Sequence, residues 1–100
     1  MEDTAKIKII PTNEEIARAA VDEASENLGS DIVLLETEGI SSFADYFVIV
    51  SGETDRHIES LAEDISRRSR KLGVHVSHRE GSGKGGWLLI DFTGVVVHLF

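Results

Sequence analysis

The sequence contains no cysteine, and proline, methionine, tryptophan and tyrosine occur once each. Without cysteine, disulfide frameworks, thiolate nucleophiles and cysteine-bound zinc are excluded. No apolar run approaches the roughly 20 residues of a membrane span. The opening "MEDTAKIKII" mixes charges and lacks the apolar core of a signal peptide, so the expected compartment is the cytosol and no membrane partner is expected. Positive charge is scarce as well: 10 Lys and Arg stand against 18 Asp and Glu, a formal net charge of −8. Binding to a phosphate backbone is driven by basic residues, so nucleic acid is not the expected main partner. The acidity suits a basic partner protein, with attraction that speeds encounter and weakens in salt; its bland counterpart is solubility alone.

What remains is ordinary for a globular chain: 100 residues, 41% hydrophobic and 28% charged. That length makes a single domain, residues 1–100, and buries roughly 60–70% of the surface exposed by the unfolded chain, enough for one two-layer core. No repeat, linker or low-complexity tract divides it.

Periodicity supplies the elements. Residues 1–11 are a loosely held lead-in whose "KIKII" alternation is compatible with a brief strand. "TNEEIARAAVDEASENLG" predicts a helix capped by Thr12 or Asn13 and stopped by Gly29, with Ile16, Ala19, Ala20, Ala24 and Leu28 on one apolar face. "DIVLLETE" and "DYFVIVSG" predict strands joined by the turn formers of "GISSFA". The continuous apolar run from Tyr46 to Val50 suggests burial on both faces. "TDRHIESLAEDISRRSRKLG" predicts a second helix capped by Thr54 and stopped by Gly73, burying Ile58, Leu61, Ala62, Ile65 and Leu72. Its basic end, Arg67, Arg68, Arg70 and Lys71, complements the helix dipole. "VHVSHRE" alternates as a half-buried strand, and "WLLIDF" and "VVVHLF" form a hairpin around Thr93-Gly94. The expected fold is an α/β two-layer sandwich with two main helices and a mixed sheet of about five strands. A right-handed crossover through the second helix is expected if the flanking strands are parallel neighbours.

Several motifs invite chemistry. Gly81, Gly83 and Gly86 in "REGSGKGGW" match G-x-G-x-x-G, but a phosphate cradle needs a helix after the glycines, and a strand follows. The stretch reads as a flexible hairpin loop. Lys84 is followed by Gly85, which breaks the P-loop pattern. His57, His75, His78 and His98 show no metal-ligand spacing; His75 and His78, three apart on an expected strand, point to opposite faces. Asp45 and Asp91 adjoin apolar strands, where cap or turn roles compete with function. Ser41 and Ser42 read as turn formers. Trp87 opens a strand directly after the glycine loop, either as a core residue or as an exposed anchor of the kind enriched at interfaces. "RRSRK" lacks interleaved aromatics and reads as solvated helix surface. No catalytic residue, cofactor or metal site emerges.

Two longer stretches carry a family resemblance. "SSFADYFVIVSGETDRHIESLAEDI" and "HREGSGKGGWLLIDFTGVVVHLF" resemble, in order and separation, the segments that mark the ribosomal silencing factors, also called the Iojap-related family. The likeness runs from about Leu28 to Phe100. It implies a fold related to the nucleotidyltransferases without their catalytic motif, and no enzymatic activity. It further implies binding to the large ribosomal subunit through its ribosomal protein fourteen, obstruction of subunit joining, repression of translation under nutrient limitation, and homodimers. The family's tryptophan falls on Trp87, its strand aspartate on Asp91, its histidine on His98, the aspartate of "ADYFVI" on Asp45, and its arginine-histidine pair on Arg56 and His57. The expected partner-binding residues are Trp87, Leu89, Asp91, His98, Phe100 and Asp45, most of them on the last two strands. A nucleotide-binding or nucleotidyltransferase-like enzyme is the alternative suggested by the fold relation and the glycine loop. Two departures stand out. Members usually carry glycine-aspartate where this chain has Thr93-Gly94, and Gly94 is expected to take the positive φ of the turn. Members usually continue into an aromatic and acidic tail, whereas this sequence stops at Phe100.

Overall fold

A computed structural model describes residues 9–40 and 42–100. Ser41 and most of the lead-in, including Lys6 to Lys8 of its "KIKII", lie outside the described residues; Ile9 and Ile10 have no regular structure.

Helix α1 spans Asn13–Glu26. Thr12 caps it in a reciprocal box: its hydroxyl accepts the Glu15 N–H at 3.1 Å, and the Glu15 carboxylate accepts the Thr12 N–H at 2.8 Å. Ile16, Ala17, Ala19, Ala20 and Ala24 are buried. The helix ends one residue earlier than the glycine suggests. Leu28 takes the left-handed conformation at φ 67, the Gly29 N–H donates to the Ala24 carbonyl at 2.7 Å, and the Leu28 N–H donates to that of Ser25. This is a Schellman closure with leucine in the usual glycine position. Leu28 therefore turns away from the core and is 81% exposed, not buried as its spacing suggests. Gly29 is needed for close packing instead, because a Cβ there would meet Val50 and the Ala24 carbonyl.

Strands β1 (Ser30–Glu36) and β2 (Tyr46–Ser51) form an antiparallel pair. Helix α2 (Asp55–Lys71) follows, capped by the Thr54 hydroxyl on the His57 N–H at 3.0 Å. Gly73 closes it at φ +91, with Val74 N–H on the Ser69 carbonyl. Leu72 sits on this cap and is exposed, while Ser66 and Ser69 take buried places on the helix. Strands β3 (His78–Ser82), β4 (Trp87–Asp91) and β5 (Val95–Leu99) complete the chain.

The five strands form one mixed sheet in the order β1-β2-β5-β4-β3. Only β2 and β5 pair in parallel; the other neighbours are antiparallel. The connection through α2 therefore carries the chain from β2 past two strands to the far edge, and the condition of parallel neighbours on either side of α2 is not met. Val74 to Ser77, expected as the start of a strand, lead into β3 instead; His75 lies outside it, so no strand alternation relates His75 to His78.

Both helices pack on one face of the sheet. The core joins Ile16, Ala20 and Ala24 of α1 and Ile58, Leu61 and Ile65 of α2 to Val48, Val50, Leu88, Ile90, Val95, Val97 and Leu99. The strand register places these strand residues opposite one another, with Val48 beside Val97 and Ile90 beside Val97. Alternation sends the intervening residues to the other face, which no element among the described residues covers. The β2 run is thus buried on one side only: Val48 and Val50 are fully enclosed, while Phe47 and Ile49 are half-buried.

The candidate docking face

The uncovered face is ordered by the pairing. One row across the sheet runs Val33, Ile49, His98, Leu89, Glu80; the next runs Leu35, Phe47, Val96, Asp91, His78. Trp87 and Phe100 lie beyond the first row at the same end. Phe100 continues the β5 ladder, donating its N–H to the Val50 carbonyl at 2.9 Å and accepting from Gly52 at 2.6 Å, so its side chain is fixed relative to His98. The face is apolar and partly exposed: Val33, Leu35 and Phe100 show 42%, 43% and 48% of their surfaces.

His98 is the centre of this arrangement. Its ring meets Phe47 edge-on at 5.7 Å, lies tilted against Trp87 at 6.4 Å and stacks on Phe100 at 6.3 Å with 9° between planes. Burial among these groups pushes its pKa below the ordinary histidine value. His98 makes no hydrogen bond through its ring to any described residue.

The glycine loop supports Trp87. A Cβ on Gly81 would collide with the Trp87 carbonyl and ring, and a Cβ on Gly83 would collide with the Asp55 carbonyl at the start of α2. Gly86 turns the chain at φ +80. Three of the loop's amides are spoken for: Gly83 N–H donates to Glu59 at 2.7 Å, Gly85 N–H to Ser82, and Gly86 N–H to the Gly83 carbonyl. Glu59 also receives Arg79 from β3. The Gly83 amide first, and Arg79 next, hold the Glu59 carboxyl below the usual carboxylate range against its partial desolvation. The expected flexible loop is a tied one, and its glycines serve close approach and turning rather than anion binding.

The expected site residues divide in two. Trp87, Leu89, Asp91, His98 and Phe100 share the open face. Asp91 also holds the β4–β5 turn, its Oδ1 accepting the Thr93 N–H at 2.7 Å. Asp45 stands apart: its carboxylate accepts the Asn13 side-chain amide at 2.8 Å, its N–H donates to Gly94 and its carbonyl accepts from Thr37. It ties the start of α1 to two strand connections. The same staple explains Gly94, where a Cβ would strike the Asn13 side chain. The positive φ of that turn falls on Thr93, at 80°, and not on Gly94. His57 links the helices: its Nδ1 accepts the Glu53 N–H, so Nε2 carries the proton and donates to the Asn27 carbonyl at 2.8 Å. Phe47, Ile49, Val33 and Leu35 belong to the open face and were not singled out by motif; counting alternate residues outward from His98 through the β2 and β1 registers finds them.

Among the described residues no helix is long and apolar enough to cross a membrane, and no cluster of His, Asp and Glu could hold a metal. The family described as "Ribosomal silencing factor during starvation" (RsfS) matches residues 10–100. The chain is 38% identical over 86 residues to the ribosomal silencing factor RsfS of Bacillus subtilis, covering 86% of this chain and 70% of that protein. It is 29% identical over 72 residues to the mouse protein named mitochondrial assembly of ribosomal large subunit protein 1, covering 69% of this chain and 32% of that one. A crystal structure of a Chromobacterium violaceum protein superposes with a TM-score of 0.85 at 28% identity, covering 90% of this chain and 75% of that one. With residues 10–100 matched by the family and most of the chain matched by its relatives in sequence and in fold, the chain belongs to the family of ribosomal silencing factors.

Proposed function

We propose that this chain represses translation by seating its open sheet face on ribosomal protein fourteen of the large ribosomal subunit, where it obstructs joining of the small subunit under nutrient limitation. One observation carries the reading: among the described residues, the two-layer sandwich leaves a sheet face rich in aromatic and aliphatic side chains without a covering layer. Exposed apolar patches of this kind mark interaction surfaces. Asp91 and Glu80 sit at its rim, and the chain carries a net charge of −8, which suits a basic ribosomal protein. The name of the mouse relative also points to the large subunit. Nucleotide binding at the glycine loop is disfavoured because the amides of Gly83, Gly85 and Gly86 already donate within the protein, one of them to a carboxylate, and a strand follows where a helix would be needed.

Sedimentation with purified subunits tests the proposal. The chain should co-migrate with the large subunit and reduce joining. Trp87→Ala should weaken binding about thirtyfold or more, as loss of an aromatic anchor does. If Trp87→Ala and Leu89→Ala, each shown to be folded, bind the large subunit as the parent does, the face is wrongly assigned.

A further inference from the structure

Among the described residues, His98 is the one polar side chain in the middle of the open face. Its strand neighbours across the face are Ile49 and Leu89, and its ring neighbours are Phe47, Trp87 and Phe100. No described residue hydrogen-bonds its imidazole. The charged and titratable groups on this face are few and peripheral. On β4 it is Asp91, two residues along from Leu89 and occupied in part by the Thr93 N–H. On β3, one strand further, they are Glu80 and His78, which pair with each other at 2.8 Å. β1 and β2 direct no charged side chain into the two rows, only Val33, Leu35, Phe47 and Ile49, with the uncharged Ser51 beyond them beside Phe100, and β5 adds Val96 and Phe100. No described residue adjacent to His98 would compensate a positive charge at the centre once a partner covers it.

We propose that His98 makes occupancy of the open face proton-sensitive: a partner docks on the neutral imidazole, and protonation of His98 releases it. This rests on the open face being the docking surface. A covered imidazolium would be an unpaired charge in an apolar contact, and burying it is disfavoured far more than burying the neutral ring. Burial among aromatic rings already favours the neutral form in the free chain, and coverage extends the same effect. Docking and proton binding at His98 therefore oppose each other. The neutral ring still offers a donor and an acceptor, so the matching partner presents a neutral polar group at the centre of an otherwise apolar contact.

The test is large-subunit affinity measured from about pH 8 to about pH 5, for the parent chain and for His98→Phe and His98→Gln. If only the neutral form binds, the parent's apparent dissociation constant rises about tenfold for each pH unit below the His98 pKa. The His98→Phe and His98→Gln variants should lose that slope. The imidazole resonance of His98, followed by NMR, should titrate at lower pH in the complex than in the free chain. An equal pH slope in the parent and both variants, or an unmoved His98 titration in the complex, overturns the proposal while leaving the docking face intact. Absence of binding by the parent at about pH 8 overturns both.

Discussion

Thr93 is held at φ 80, a conformation that costs a β-branched residue energy and glycine almost nothing. It is kept there by its own N–H on Asp91, by the Phe92–Val95 bond across the turn, and by the Asn13 side chain packed against Gly94. Thr93→Gly should therefore raise unfolding free energy by about 1 kcal/mol, read from denaturant midpoints. Gly94→Ala should lower it, because its methyl displaces Asn13 from Asp45. Equal stability of the two variants would show that the strain sits elsewhere. Glu59 gives an acid-side prediction. Its folded pKa lies below the ordinary 4.5, so its contribution to stability is complete above the unfolded value and is lost as pH falls through the folded one. Glu59→Gln should be less stable than the parent at neutral pH, and the difference should shrink as pH is lowered through that window in parallel denaturant titrations.

Among the elements, the glycine loop matters most because it aims Trp87. Gly83 lies against the first turn of α2, so the loop is positioned by a helix start and an acid, Glu59, one turn further on. Gly83→Ala should push the loop from α2, expose the amides of Gly85 and Gly86 to faster hydrogen exchange, and weaken subunit binding several-fold through displaced Trp87; unchanged exchange would refute the tie. Helix limits were legible in the sequence because capping is local: Thr12 and Thr54 cap through their hydroxyls, and Gly73 closes its helix because it lacks a Cβ. Leu28 was not, since nothing in its side chain announces a left-handed cap. The "VHVSHRE" alternation misled for a related reason. Val74 and Val76 pack on the core from an irregular segment, and the paired strand starts only at His78.

Across the whole molecule, the arrangement of strands was the least legible feature. Two helices and five strands follow from periodicity, but the parallel β2–β5 pairing joins segments some fifty residues apart, and no local signal encodes it. Burial of β2 on one face only is a consequence of that order, since both helices are committed to the same side. Trp87, Leu89, Asp91, His98 and Phe100 could be grouped because alternation along β4 and β5 is local; Phe47 and Ile49 needed the register between strands. The net charge acts at this scale too. Association with a basic partner should slow markedly between about 50 mM and about 500 mM salt, with a much smaller change in dissociation, as measured by stopped flow. A rate insensitive to salt would leave the acidity as a matter of solubility.

Trp87 is the only indole in the chain, and it stands against the ring of His98 on the open face. The molecule thus carries its single tryptophan at the surface of interest. Its emission reports that surface alone, free of contributions from other tryptophans. Coverage of the face shifts the emission by removing solvent from the indole, and a positively charged imidazole beside it quenches the emission. The two signals differ in kind, so occupancy and protonation can be followed separately in one unlabelled sample with a tryptophan-free partner.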